Sequence, residues 1–486
     1  RRVEIGQGND GGGHRFGEAL GLVEPCQGLF GQPFLFVVVV EDGGPVLGTT
    51  VDELPPGIGG VDHAPEVVQK RRIVHLVGIV IDLHGFGMAG FSRAYLVIGR
   101  MGLEAAGVAG NHRQNTRSLT HAGLRKNGGP VRRVPGVSRM LISDLLDSMV
   151  PVIQAPMAGV QDSALALAVS SAGGLGSLPC AMLDEASLRS ELDKLRASGD
   201  RPINMNFFCH AAPVPDRERE ARWRARLQPY FAEYGIKSDE IPDGAGRRPF
   251  SHEIADVLEE YRPAVISFHF GLPAPDLLQR VKAWGTSVLS TATTVDEACW
   301  LEAHGADAVI AQGLEAGGHR GMFLTKDLTT QVGIFALLPQ VLRAVDVPVI
   351  AAGGIADGRG VAAVLSLGAV AAQVGTGYLL CRETKTTPLH RAALKSHGAR
   401  HTAVTNVFSG RPARGIVNRI IGELGPICPD APDFPLAATA VTALRERAEA
   451  AGSTDFTPLW SGQNASGCRE ISAYQLTRDL GAAFDS

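Results

Sequence analysis

Eight short apolar runs, each closing in glycine or a small polar cluster, limit what this chain can fold into more than any other feature. They are Val152–Ala155, Gly174–Ser177, Ile203–Phe207, Val265–His269, Val288–Thr291, Ala308–Gln312, Pro348–Ala352 and Val370–Val374. Strands buried on both faces read as continuous apolar runs, and strands joined by helices run parallel. Helical patterns separate most of the runs, at Ser163–Ala172, Glu185–Arg196, Val295–His304 and Arg359–Leu367. The expectation is an α/β fold, a (β/α)8 TIM barrel. Chemistry in such barrels sits at the C-terminal strand ends, where the glycine and amide clusters fall here.

The 486 residues divide near residue 140. Residues 1–139 hold 27 of the 59 glycines and carry 15 Lys+Arg against 12 Asp+Glu, a surplus of +3, whereas residues 140–486 have 31 against 38. Glycine clusters there mark no βαβ unit, and only 67–85 reads as a strand with a flanking helix. Gly6-Gln7-Gly8-Asn9-Asp10-Gly11 fits the dinucleotide pattern, but too short a strand precedes it and no apolar helix follows. Residues 1–139 are therefore read as a glycine-rich extension outside the functional fold, disordered or spurious, with Met140 as the natural start. The barrel is expected over 140–385. A small helical domain is expected over 386–486, with helices near His390–Ser396 and Leu436–Ala451. The long gap at 211–263 reads as an insertion able to cover the barrel mouth.

Composition narrows the classes. A net charge of −4 gives no reason to expect nucleic acid or an anionic membrane as partner. The greasiest run, Phe34–Val40, is seven residues, far short of the ~20 that span a bilayer. Seven scattered cysteines without a CxxC pair fit reduced thiols in a cytoplasmic protein. Arg1-Arg2 is not followed by an apolar leader segment. A metal is not expected: Cys209 and His210, adjacent on a strand, point to opposite faces and lack a third ligand.

The most informative segment for chemistry is Ala308–Phe323, AVIAQGLEAGGHRGMF, which sets one histidine, His319, among Gly313, Gly317, Gly318 and Gly321. An imidazole in a loop that a ligand can approach closely is a natural proton acceptor or hydrogen-bond donor. Gly353-Gly354 and Gly375-Thr376-Gly377 close the seventh and eighth strands, where barrels commonly hold a phosphate. A phosphate there, with amides at Gln154, Asn206 and Gln312 on other strand ends, suits a flavin mononucleotide. Ser290 and Ser409 show no His/Asp arrangement that would make either a nucleophile. His269, between Phe268 and Phe270, reads as a core or supporting histidine. Asp357 reads as a helix cap.

The segments QAPMAG, NMNFFCH, SFHFG, AQGLEAGGHRG, AAGGIADGRG, QVGTGY, SGRPARGIVNR and DFTPLWSGQNA resemble, in order and spacing, class I of the nitronate monooxygenase (2-nitropropane dioxygenase-like) family. The resemblance covers nearly everything after Met140 and nothing before it. It implies an FMN-containing barrel that oxidises alkyl nitronates, such as propionate 3-nitronate, with O2 to a carbonyl product and nitrite. By position it implies that Ala155, Pro156 and Met157 line the flavin ring, that Asn206 and Gln312 bond its edge, and that Thr291 lies near it. Gly317 and Gly318 would approach the cofactor, and Ala352, Gly353, Gly354, Gly375 and Thr376 would hold its phosphate. His319 falls on the family's active-site histidine, binding the nitro group or taking a proton. A tyrosine that class I members can place in the insertion is missing from Asp243–Phe250. Alternatives on the same barrel are an NAD(P)H-dependent flavin reductase of quinones or enoyl thioesters, and a non-enzymatic flavin-binding sensor. Partners would be the nitronate or nitroalkane and O2, with a homo-oligomer left open.

Overall fold

The computed structural model describes residues 150–237, 241 and 247–482, together with four strands nearer the N-terminus. The chain divides into two units, Arg1–Gly129 and Pro130–Ser486. In the first, β1 (Gly17–Leu22), β2 (Leu35–Val40), β3 (Ile79–Asp82) and β4 (Ala94–Gly99) form an antiparallel sheet in the order β1-β2-β4-β3. Only β3 falls in the stretch read as strand from sequence; the other three were not anticipated. Residues 6–11, the expected helix before β3 and the Met140 start lie outside the described residues.

In the second unit the apolar runs become the staves of a barrel. They are β5 (Val152–Gln154), β6 (Gly176–Pro179), β7 (Ile203–Phe208), β8 (Val265–His269), β9 (Ser287–Ala292) and β10 (Ala308–Gln312). A two-residue strand, β11 (Gly318–His319), then leaves the barrel, before β12 (Val349–Ala352) and β13 (Ala371–Val374) complete it. All eight are parallel, in the order β5-β13-β12-β10-β9-β8-β7-β6. The expected TIM barrel is therefore the fold. β5 and β6 close it through a single bridge, Ile153 to Leu175, with Gln154 N–H donating to Leu175 O at 3.0 Å. Gln154 reinforces that thin seam: its Oε1 accepts from Ser177 N–H at 2.9 Å, and its Nε2 donates to Gln161 Oε1 at 2.7 Å.

Ile153, Leu175, Val265, Leu289, Ile310 and Ile350 fill the barrel interior. The helices are α1 (Ser163–Ser171), α2 (Glu185–Ala197), α3 (Arg217–Glu233), α4 (His252–Tyr261), α5 (Pro275–Ala283), α6 (Val295–Ala303), α7 (Ile334–Ala344) and α8 (Gly358–Ser366), and all of these but α3 cover the outside of the barrel. Their apolar stripes recur at helical spacing. On α7, Ile334, Leu337, Leu338 and Val341 are all buried, each contributing roughly 1.5–3 kcal/mol. Asp357 caps α8 as expected, accepting from Gly360 N–H at 2.9 Å.

The C-terminal region carries strands as well as helices. Among its elements are α9 (Pro388–Lys395), β14 (Thr402–Thr405), β15 (Ala413–Ile416), α10 (Arg419–Leu424), α11 (Ala437–Ala450) and α12 (Ala473–Gly481). β11 joins β15 and β14 in a small antiparallel sheet. Trp223, Leu227 and Phe231 of α3 share one apolar cluster with Val441 and Leu444 of α11 and with Phe456, so the insertion and the C-terminal region are packed together. Among the described residues no helix is long and apolar enough to cross a membrane.

Candidate active site

The C-terminal ends of the strands open into a cavity. All fourteen positions singled out from sequence line it: 155–157 after β5, Asn206, Thr291 and Gln312 at strand ends, 317–319, 352–354, and 375–376. Gln154 does not line it. That side chain is fully buried and occupied in closing β5 onto β6, so the flavin-side role read for its amide is corrected to a seam.

The His319 loop is held from both sides. Its backbone pairs with β15, Gly318 opposite Arg414 and His319 opposite Ala413, so SGRPARGIVNR supplies the strand on which the histidine rests. From the barrel, Gln312 Nε2 and His269 Nε2 both donate to His319 O, at 3.0 and 3.2 Å. A carbonyl only accepts, so His269 carries its proton on Nε2, and Nδ1 accepts from Thr291 Oγ1 at 3.1 Å. Burial pushes His269 down to about 3, which keeps it in this neutral form. Gly321 N–H donates to Gln312 Oε1 at 2.8 Å. A Cβ at Gly321 would meet Thr291 Cγ2 at 2.5 Å and His269 Cε1 at 3.0 Å, so glycine is required there.

Arg320 locks the loop underneath. Fully buried, it donates through Nη1 to Gly313 O at 2.7 Å, Nη2 to Gln312 O at 2.8 Å and Nε to Gln331 Oε1 at 3.0 Å. Gln331 continues to Thr293, and Thr293 to the buried Glu297, which also accepts from Phe323 N–H at 2.6 Å. Burial lowers the Arg320 guanidinium to about 10, still charged at neutral pH.

His319 Nε2 lies 2.8 Å from Ser409 Oγ, and its ring borders the cavity. The rings of Phe208, Phe270, Phe434 and Trp460 surround it at centroid distances of 5.4–6.2 Å. Burial, then the positive charges of Arg247 and Arg411, holds its pKa well below the ordinary imidazole range. The imidazole is neutral at physiological pH and resists taking a proton.

At the opposite end, Gly353 and Gly354 both have positive φ, 109° and 74°. Among the described residues, the N–H groups of Gly353, Gly354, Gly375 and Thr376 have no acceptor within the protein. Thr376 begins a short 3-10 turn, so its free N–H groups sit at a positive helix end. The segment 461–464 roofs these loops. Gly462 N–H donates to Thr376 Oγ1 at 2.9 Å, Gln463 N–H to Glu315 O at 2.9 Å, and Asn464 Nδ2 to Gly354 O at 3.1 Å. Two glycine-bearing turns with unspent N–H donors form a cradle that fits an anionic phosphate group.

Comparison with known proteins decides the family. The nitronate monooxygenase family model matches residues 139–482. The chain belongs to the nitronate monooxygenase family. It is 43% identical over 342 residues to a nitronate monooxygenase of Pseudomonas aeruginosa, covering 69% of this chain and 96% of that protein. A nitronate monooxygenase of Paraburkholderia phytofirmans is 41% identical over 337 residues, covering 68% and 91%. Among solved structures it is similar to a nitroalkane oxidase from Streptomyces ansochromogenes, with 39% identity, a TM-score of 0.65, and 70% and 97% of the two chains covered. FabK from Thermotoga maritima is more distant, at 29% identity and a TM-score of 0.53, with 72% and 97% covered.

As a nitronate monooxygenase family member, the chain is an oxidoreductase. Two site residues escaped the sequence reading. Ser409 was set aside for want of a partner, yet the β11–β15 pairing brings it to His319 across 90 residues of sequence. Arg247 was passed over inside the segment noted for lacking a tyrosine, yet its side chain lines the cavity. The only available signal for Arg247 was a basic pair, Arg247-Arg248, in an insertion facing a barrel mouth.

Proposed function

We propose that this chain oxidises alkyl nitronates, propionate 3-nitronate or similar, with O2 to a carbonyl product and nitrite, using FMN. The observation that carries this reading is one cavity with a neutral histidine among aromatic rings at one end and an unfilled N–H cradle at the other. Gly353, Gly354, Gly375 and Thr376 would receive the phosphate. Ala155–Met157 and Ala352 would lie along the ring, Gly317 and Gly318 would let the backbone come close, and Asn206, Gln312 and Thr291 would serve its edge. FMN supplies the electron acceptor when bound.

His319 then needs only to hold the substrate. Ser409 O–H has two acceptors in reach, His319 Nε2 at 2.8 Å and Arg411 O at 3.3 Å; donated along the shorter contact, its proton leaves the imidazole proton on Nδ1, free to donate to an oxygen of the nitronate group. A nitronate has already lost its α-proton, so an imidazole that resists protonation suits it better than it suits a neutral nitroalkane. The surrounding aromatic rings keep water off the reacting carbon. The described cysteines are all free thiols, in keeping with a cytoplasmic site of action.

The test is anaerobic mixing of the purified flavin-loaded protein with propionate 3-nitronate and, separately, with NADH. A change in flavin absorbance with the nitronate and none with NADH supports this reading. Rapid loss of absorbance with NADH alone would favour a flavin reductase instead.

A further inference from the structure

One cation on the cavity wall has no ion-pair partner among the described residues. Arg247 lines the cavity, and its Nη1 is buried without a hydrogen-bond partner. Its guanidinium carbon lies 5.5 Å from the ring centroid of Phe434, which itself packs on His319. No ion pair to Arg247 occurs among the described residues, and burial alone lowers its pKa. The one carboxylate among the described lining residues is Glu315, which is tied to Ile334 N–H and sits beside Gly354 at the cradle end. A buried charge without its counter-ion is unfavourable, and an arriving anion relieves that penalty.

A nitronate group alone does not account for this charge. Arg411, the other guanidinium near His319, is already seated 3.8 Å over the Phe270 ring and donates to Met322 O. A simple alkyl nitronate carries a single negative charge, placed at His319. Arg247, carried by the insertion, is a second polar anchor on the wall of the same cavity.

We propose that Arg247 receives a second acidic group, a carboxylate on the substrate's tail, and so selects carboxylate-bearing nitronates over plain alkyl ones. This rests on the nitronate reading above. It makes Arg247 a specificity residue that never touches the reacting carbon, and it gives the insertion a direct part in substrate choice.

The test uses the full chain and two variants, Arg247→Met and Arg247→Lys. Propionate 3-nitronate and propyl-1-nitronate, similar in size and differing by the carboxylate, are compared by kcat/KM. Calorimetry measures binding of succinate, an unreactive dianion of the same length. Arg247→Met should lower kcat/KM for propionate 3-nitronate at least about 30-fold more than for propyl-1-nitronate, as for loss of one partner of a desolvated ion pair. Succinate binding should weaken in parallel, and Arg247→Lys should restore much of both. Equal losses on the two nitronates would assign Arg247 to the nitronate head and overturn the proposal. Loss of bound FMN in Arg247→Met would assign it to the cofactor and overturn it too. If the parent turns over neither nitronate, the functional reading fails on its own, and undiminished succinate binding by Arg247→Met would separately refute the role of Arg247.

Discussion

His319 Nε2 and Ser409 Oγ stand 2.8 Å apart, although the residues come from different parts of the fold. The barrel supplies the histidine through the loop after β10, and the C-terminal region supplies the serine just before β15. Their pairing decides which ring nitrogen is left for the cavity.

Ser409→Ala should therefore lower kcat/KM for a nitronate by up to about tenfold, the worth of one net hydrogen bond, with cofactor content unchanged. Steady-state kinetics and flavin quantitation check this together. An unaltered kcat/KM would mean that the serine does not set the state of the imidazole.

His319→Asn should separate two substrate forms. A positioned base is worth roughly 10²–10⁴-fold, and only the neutral nitroalkane needs one. The low proton affinity of His319 implies slow nitroalkane turnover even in the parent. In the variant that turnover should vanish, while nitronate turnover falls by a smaller factor. The check is kcat/KM for both forms of one nitro compound; proportional losses would remove any base role.

Gly354→Leu should weaken FMN retention more than riboflavin retention. A side chain at φ 74° is strained and stands beside the unspent N–H groups of the cradle. Fluorescence titration with each flavin reads the difference. Equal weakening of both would point to damage to the fold and against a phosphate site there.

Buried neutral histidines make stability depend on pH. His210 and His390 are held near 4 and His269 near 3, in each case chiefly by burial, and His319 is also well below its ordinary value. The unfolded chain binds more protons than the folded one once the pH drops below about 6.5, so stability rises with pH there. The contribution is fully present above about 6.5 and is lost as the pH falls toward 3–4. Denaturant midpoints between pH 7 and 4 should decline, and His269→Gln should decline less steeply. A flat profile in the parent would contradict the neutral assignments.

The fold was legible because its signal is local. Each stave is a continuous apolar run, and observed strand ends fall within about two residues of those read from sequence, as at Ile203–Phe208 and Ala308–Gln312. The cavity-lining positions were legible for a related reason: glycines and amides at parallel strand ends gather at one barrel mouth. What stayed hidden depends on distant pairing. Gln154 carries the same amide as Gln312, but the thin β5–β6 seam claims it. Ser409 gains meaning only through the register that sets His319 opposite Ala413. Arg247 belongs to an insertion without periodicity, so nothing local told whether it faced solvent or the cavity.

The central claim is nitronate oxidation at this cavity, and oxygen uptake with product analysis tests it most directly. Purified protein loaded with FMN and given propionate 3-nitronate in air should consume O2 and release nitrite, while NADH in its place should produce neither. O2 uptake or flavin bleaching driven by NADH, with no nitrite from the nitronate, would contradict the account.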